Sequence, residues 1–183
     1  ARPLLADPFF VQKAENGRAD EINTCIACNQ ACLDHTFKNK RASCLVNPRA
    51  CHELELRYLP TQNKKKVAVI GAGPAGMAAS TVAAERGHDV TLFDASDRVG
   101  GQFNIAKEVP GKEDFAETLR YYGKMIDKRG VNLQLNHKVE AQELIDAGFD
   151  EVIVATGITP RTPGIEGIDH EKVLSYIDVL LHK

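Results

Sequence analysis

The sequence predicts an α/β fold built on a parallel sheet, and three observations carry that reading. Lys66-Val-Ala-Val-Ile70 is an apolar run without polar alternation, the pattern of a strand covered on both faces. It breaks at once into Gly71-Ala-Gly73-Pro-Ala-Gly76, followed by a helical stretch to Arg86. A second apolar run, Val90-Thr-Leu-Phe, then ends in an acid, Asp94. Strand, glycine turn, helix, strand and acid in this order describe a Rossmann-like dinucleotide-binding unit.

Each glycine has its own task in that pattern. Gly71 permits the tight turn off the strand, Gly73 lets backbone approach a pyrophosphate, and Gly76 lets the helix pack close to the strand. Amides at the helix N-terminus face phosphates with the helix dipole behind them. Asp94 can accept hydrogen bonds from ribose hydroxyls. The competing reading is a plain βαβ turn that holds no ligand.

Composition sets the class. The 183 residues are 43% hydrophobic and 26% charged, with a formal net charge of −2. That describes a globular protein of one sizeable domain plus an appendage, without the basic stripe of a nucleic-acid binder. No apolar run reaches the length of a membrane span, so no membrane partner is expected. The chain opens without an initiator methionine and closes inside a helix begun at Ser175, so a piece of a longer polypeptide is expected. All five cysteines fall between Cys25 and Cys51, with no secretory signal ahead of them. An odd, clustered set argues for metal or redox chemistry in a reducing compartment, and hence for the cytoplasm.

Along the chain, residues 1–22 read as the end of a preceding domain, with a short helix that Asp7-Pro8 would start. Arg2 reads from the sequence alone as a solvated terminal charge. Residues 23–60 carry Cys25, Cys28, Cys32 and Cys44 in the spacing C-x2-C-x3-C-x11-C. Three thiolates within one loop and a fourth from a returning segment suit a [4Fe–4S] cluster. They also suit structural zinc, although zinc ribbons usually present two separate pairs. Cys51 is left over and reads as a small buried hydrophobe. Pro60 to Lys66 is a polar approach to the first strand, and the nucleotide-binding part is expected over 61–183.

Beyond Asp94, Gly100-Gly101-Gln102 marks a place where backbone passes close to something, a pyrophosphate or simply a turn. Pro110-Gly-Lys112 is expected to open a helix whose core face is Phe115, Leu119, Tyr122 and Ile126, capped by Gly130. Val131 to Leu135 reads as a strand, His137 as a surface turn, and Lys138-Val139 as a short strand-like stretch before a helical piece from Ala141 to Ala147. Glu151 to Ala155 reads as another buried strand, running into Thr156-Gly157 and a proline-rich loop at the ligand-binding edge of the sheet.

The cysteine spacing, Asn47-Pro-Arg-Ala-Cys-His52, the Gly71 to Gly76 turn, Gly100-Gly-Gln-Phe-Asn-Ile-Ala-Lys107, Pro110-Gly-Lys112 and Ala155-Thr-Gly157 together resemble one family. It is that of the bacterial NADPH-dependent 2,4-dienoyl-CoA reductases, the iron–sulfur flavoprotein branch of the old yellow enzyme group, with trimethylamine dehydrogenase as a cousin. The resemblance covers essentially the whole chain. It implies an FMN-bearing barrel, an FAD domain and an inserted NADPH domain, with electrons passing from NADPH to FAD, through a [4Fe–4S] cluster, to FMN and the acyl-CoA in β-oxidation of unsaturated fatty acids.

The resemblance also implies roles for residues. Ala1 and Arg2 match the last barrel loop, which holds the FMN phosphate. Cys25, Cys28, Cys32 and Cys44 match the cluster ligands, while Ala75, Asp94, Gln102, Lys112 and Val139 match positions that contact FAD. Gly71, Gly73, Gly76, Gly101, Ala155, Thr156 and Gly157 complete the expected cofactor site. By the same resemblance the barrel, the NADPH fingerprint and the segment closing the FAD domain lie outside this chain. The piece by itself is then expected to hold an incomplete FAD site, to be inactive alone and to self-associate along its last strand. The alternative from another class is a zinc-stapled adenine-nucleotide module with a regulatory or scaffolding role.

Overall fold

The computed structural model describes residues 1–181. Four parallel strands form one sheet: β1 (Lys66–Ile70), β2 (Asp89–Phe93), β3 (Asn132–Gln134) and β4 (Glu151–Val154), in the order β3-β2-β1-β4. Val69 is level with Leu92 on one side and Ile153 on the other. The chain thus winds outward from β1 through β2 to β3 and returns to the opposite flank of β1. Strand order reverses between β1 and β4, and that is where open α/β sheets take their ligands.

Among the described residues eight short or medium α-helices surround the sheet and the segment before it: α1 (Arg2–Ala6), α2 (Phe10–Glu15), α3 (His35–Phe37), α4 (Pro74–Glu85), α5 (Phe103–Ala106), α6 (Phe115–Lys128), α7 (Ala141–Asp146) and α8 (Tyr176–Leu181). α4 follows the glycine turn with Pro74 in its first turn, as the fixed φ of proline favours. It ends at Gly87, whose φ of +97° lets His88 reach back to the Ala83 carbonyl. α4 and α6 cover one sheet face, burying Val67, Val69, Met77, Val90, Leu92, Ile126 and Val131 in the main core. Ser175 caps α8, exchanging bonds with Asp178 in a capping box. Among the described residues no helix is long and apolar enough to cross a membrane.

Several expectations need correction. β4 is no buried strand: it lies at the sheet edge, and all four of its residues are exposed, Val154 at 72%. An apolar run reports affinity for a sheet but not position within it. Residues 138 and 139 form no strand, because the turn before them is tied to the end of β2: Asn136 N–H donates to the Ser96 carbonyl and His137 N–H to that of Asp94. α6 starts at Phe115 rather than at Pro110, since Gly111 at φ +83° interrupts helical backbone. Phe115 leaves the main core for a second one. Asp7 ends α1 instead of capping the next helix, though its carboxylate does accept the Phe9 amide.

The segment ahead of the sheet folds around that second core of Ala6, Ile26 and Val46, with Cys25, Cys28, Cys44 and Phe115 against it. Asp7, almost fully buried, takes the Asn23 amide at 2.9 Å and the Lys13 ammonium at 2.5 Å. Asn23 in turn donates to the Val46 carbonyl and Asn47 to that of Leu5. α6 clasps this segment from the other side. Arg120 donates to the carbonyls of Asp20 and Ile22, at 2.6 and 2.7 Å, and Lys128 pairs with Glu21 at 2.5 Å.

Candidate functional site

A cleft of about 510 Å³ opens at the carboxyl ends of β1, β2 and β4. Its walls include Gly71, Gly73, Ala75, Asp94, Gly101, Gln102, Val139, Ala155, Thr156 and Gly157. The structure therefore gathers into one cavity residues more than eighty positions apart in sequence. Gly76 lies behind the cleft. Lys112 is not in its lining: its ammonium sits 5.9 Å from the centre of the Phe115 ring instead.

The glycines divide by cause. A β-carbon on Gly76 would fall 1.8 Å from the Gly71 carbonyl oxygen, so that glycine is required by the packing of α4 on the turn. At Gly71, φ is +103° and a β-carbon would meet the Ala155 carbonyl oxygen at 2.4 Å, so both backbone and neighbour exclude a side chain. Gly73 is different. Its φ of −72° suits any residue, and a β-carbon would meet nothing within 4 Å. Gly101 faces it, its own β-carbon position 3.1 Å from the Gly73 α-carbon. Within the chain nothing requires glycine at 73; a ligand lying against that backbone would.

Gly73 is also the N-cap of α4, a twelve-residue helix. The amides of its first turn have no intrahelical acceptor, and together with the dipole they make a site for an anion. Opposite, the Asp94 carboxylate accepts the Ala72 amide at 2.6 Å and the Ser96 amide at 2.7 Å, one on each oxygen. A carboxylate has about four acceptor positions, so each oxygen keeps capacity for a hydroxyl. Tyr176 from α8 donates to the Gln102 side-chain oxygen at 3.0 Å, steadying that side of the mouth.

Sequence reasoning left out several of the walls. His137, read as surface, is half-buried and lines the cleft, its ring edge-on to Phe93 at 5.2 Å and its Nε2 2.8 Å from Glu143. Pro74, Phe93, Ser96, Lys138 and Ile158 line it as well. The signal available for His137 was its place directly after a strand of a parallel sheet, at the ligand edge.

A second, small hollow of about 20 Å³ lies in the amino-terminal segment, with Cys25, Cys28, Cys32 and Cys44 all in its wall beside Arg2, Leu5, Ile26 and Val46. The loop that carries them uses left-handed backbone at Ala27 and Asn29, then a π-helical turn from Gln30 to Asp34. The Ser43 amide donates to the Ala31 carbonyl and so brings Cys44 back to the first three cysteines. Burial pushes the Cys44 thiol up, while the amides of Val46 and Asn47 pull the other way. No disulfide joins these cysteines. As the side chains stand, no three Cys, His, Asp or Glu groups among the described residues form a ready-made ion site. The donor set is nonetheless four sulfurs on one apolar hollow, which fits a thiolate-ligated group. Arg2 is exposed and donates to the Asn29 side chain, and Ala1 caps α1 beside it. Cys51 stands apart: it is exposed, contrary to its reading as a buried hydrophobe, in a turn at φ +63°.

A family model described as pyridine nucleotide-disulphide oxidoreductase matches residues 65–180. The metal reductase of Desulforamulus reducens is 42% identical over 184 residues, an alignment covering 98% of this chain and 28% of that protein. The bilirubin reductase of Mediterraneibacter gnavus is 39% identical over 182 residues, covering 100% of this chain and 28% of that protein. Among solved structures, a 2-naphthoyl-CoA reductase complex superposes with a TM-score of 0.94 at 42% identity, over 100% of this chain and 28% of that one. The chain thus spans about 28% of the length of these relatives.

Proposed function

The chain belongs to the pyridine nucleotide-disulphide oxidoreductase family, and on that premise we propose that it is the electron-delivering portion of a flavin-dependent reductase. FAD lies in the cleft, and Cys25, Cys28, Cys32 and Cys44 hold a [4Fe–4S] cluster. The observation that carries the flavin half is Gly73, a glycine that neither its backbone angles nor its neighbours require. For the cluster half it is the meeting of four cysteines on one hollow.

Bound in these places, the flavin supplies a two-electron store and the cluster a one-electron relay; the protein supplies position and surroundings. The amides opening α4, with that of Ala75, receive the pyrophosphate. Gly101 and Gly73 leave room for it, and Asp94 takes the ribose hydroxyls. Val139 offers backbone groups to the adenine. Ala155, Thr156 and Gly157 form the wall on the β4 side, and Gln102, held by Tyr176, closes the mouth.

The finer form of the proposal is an NADPH-dependent 2,4-dienoyl-CoA reductase acting in the cytoplasm on unsaturated acyl-CoAs. Its FMN-bearing and NADPH-binding parts are partners on the same polypeptide, and Arg2 with the Ala1 backbone would serve the FMN phosphate; Lys112, outside the cleft lining, would reach FAD only by leaving the Phe115 ring. The sequence motifs support it, as does likeness to a reductase whose name specifies another acyl thioester, 2-naphthoyl-CoA. Anaerobic purification of the intact protein with iron, zinc and flavin analysis tests the general reading. We expect about four irons, a brown visible spectrum and one FAD per chain for this site. A colourless protein with stoichiometric zinc would refute it. Turnover of a 2,4-dienoyl-CoA with NADPH tests the finer form, which fails if the dienoyl thioester is not consumed by protein that carries both groups.

A further inference from the structure

Two aromatic rings join the two sites. Gly101 and Gln102 line the cleft, and the next residue, Phe103, opens α5. α5 is seated on α6 by Gly100, where a β-carbon would lie 2.8 Å from the Leu119 side chain and 2.7 Å from Asn104. The Asn104 amide nitrogen fixes the same turn by donating to the Val99 carbonyl at 2.8 Å. This close approach brings the Phe103 ring against that of Phe115, with centroids 4.8 Å apart and planes inclined at 55°. Phe115 in turn packs against the core of Ala6, Ile26 and Val46, on which Cys25, Cys28 and Cys44 also pack. Cleft wall, ring, ring and the small core that carries the cysteines thus form one line of apolar contact.

We propose that the Phe103–Phe115 pair is the dry contact through which a redox group in the cleft is coupled to one on the cysteines, with both phenylalanines as positioning residues; this rests on the function proposed above. Electrons pass between centres fastest where atoms touch without a gap or intruding water. An apolar shell around a metal site also controls solvent access and so its potential. Phe115 serves both ends: unlike Leu119, Tyr122 and Ile126 of the α6 apolar face it leaves the main core, and it packs instead on the core that also carries the cysteines.

The electron balance is simple. A reduced nicotinamide dinucleotide gives a hydride to the flavin, which takes a proton from solvent. Two one-electron passages then oxidise the flavin, release two protons and reduce the cluster each time. Between passages a second flavin reoxidises the cluster.

The test uses the intact holoenzyme with Phe103→Leu and Phe115→Leu, which keep apolar volume while removing the rings. Anaerobic rapid mixing with NADPH follows flavin reduction by absorbance and cluster reduction by freeze-quench electron paramagnetic resonance. We expect unchanged flavin reduction and full iron and flavin content, with cluster reduction several-fold slower in both variants. A role confined to packing would lower the melting temperature without slowing that one step. Cluster reduction at the wild-type rate in both fully loaded variants overturns the proposal. If Phe115→Leu loses iron, Phe103→Leu decides alone, since its ring packs on Phe115 rather than on the cysteine core. Wild-type protein lacking iron or FAD overturns the functional reading itself, a different result from loaded variants with unchanged rates.

Discussion

The carboxylate of Asp94 accepts the backbone amide of Ala72 at 2.6 Å, so the acid ending β2 holds the glycine turn that follows β1. The acid proposed above to take the ribose is thus also a buttress of the glycine turn. Asp94→Ala removes both roles. Loss of a charge-assisted bond to a hydroxyl costs roughly 1.5–3 kcal/mol, a tenfold to hundredfold weaker FAD affinity. Titration of the flavin-stripped intact protein with FAD measures it. A fall in melting temperature should accompany the loss, because the amides of Ala72 and Ser96 lose their acceptor, and unchanged affinity would place the ribose elsewhere.

Gly73 and Gly76 should respond to alanine in opposite ways. At Gly76 the new methyl meets backbone at 1.8 Å. The helix must shift, at a cost of about 1–3 kcal/mol or more, despite the preference of a helix for alanine over glycine. At Gly73 there is room and an ordinary φ, so folding stability should stay within about 1 kcal/mol of the parent. FAD binding should nevertheless collapse there, because the methyl projects where the pyrophosphate belongs. Denaturation and flavin titration on the two variants separate the effects, and Gly73→Ala with normal FAD affinity would refute the placement.

Among the cysteines, Cys28→Ser and Cys44→Ser should abolish the brown chromophore and the bound iron, whereas Cys51→Ser should leave iron content unchanged. The first two line the hollow and Cys51 is exposed outside it. Loss of iron in Cys51→Ser, with iron retained in Cys44→Ser, would reverse the ligand assignment.

Glu21 provides a pH-dependent prediction. Its carboxylate pairs with Lys128 at 2.5 Å and Arg18 at 3.2 Å, and the Lys128 hydrogen bond holds it below the usual glutamate range against the opposite pull of burial. A depressed carboxyl contributes stability that is complete above the ordinary glutamate pKa and is lost as pH falls through the folded value. Glu21→Gln should therefore cost about 1 kcal/mol near neutrality and progressively less in acid. Urea denaturation of both proteins between neutral pH and acid measures it, and a difference that stays constant would show that the charge is not the cause.

What the sequence made legible was local. The turn from Gly71 to Gly76 and the helix after it are dictated by glycines and a proline within one short stretch, and Asp94 follows directly from the second strand. Gly87 and Gly130 mark helix ends because their φ angles are positive. What it hid was set by distant chain. Whether Val152 to Val154 lies inside or at the edge depends on which strand stands beyond it, and none does among the described residues. Phe115 shares its periodicity with Leu119 and Ile126, yet it packs on Ala6, Ile26 and Val46, far earlier in the chain. The cleft role of His137 arises only once its turn is tied to β2.

α6 contributes Leu119, Tyr122 and Ile126 to the main core and Phe115 to the cysteine core, while Arg120, Lys124 and Lys128 grip residues 20–22. The cysteine segment cannot peel away while α6 stays docked, so the two regions should unfold as one cooperative unit. Amide hydrogens in the middle of α6 are then expected to exchange with solvent only through opening of the whole. If the cysteines hold a metal group as proposed, its removal should quicken exchange along the entire helix, and a chelator would loosen a cleft it never touches.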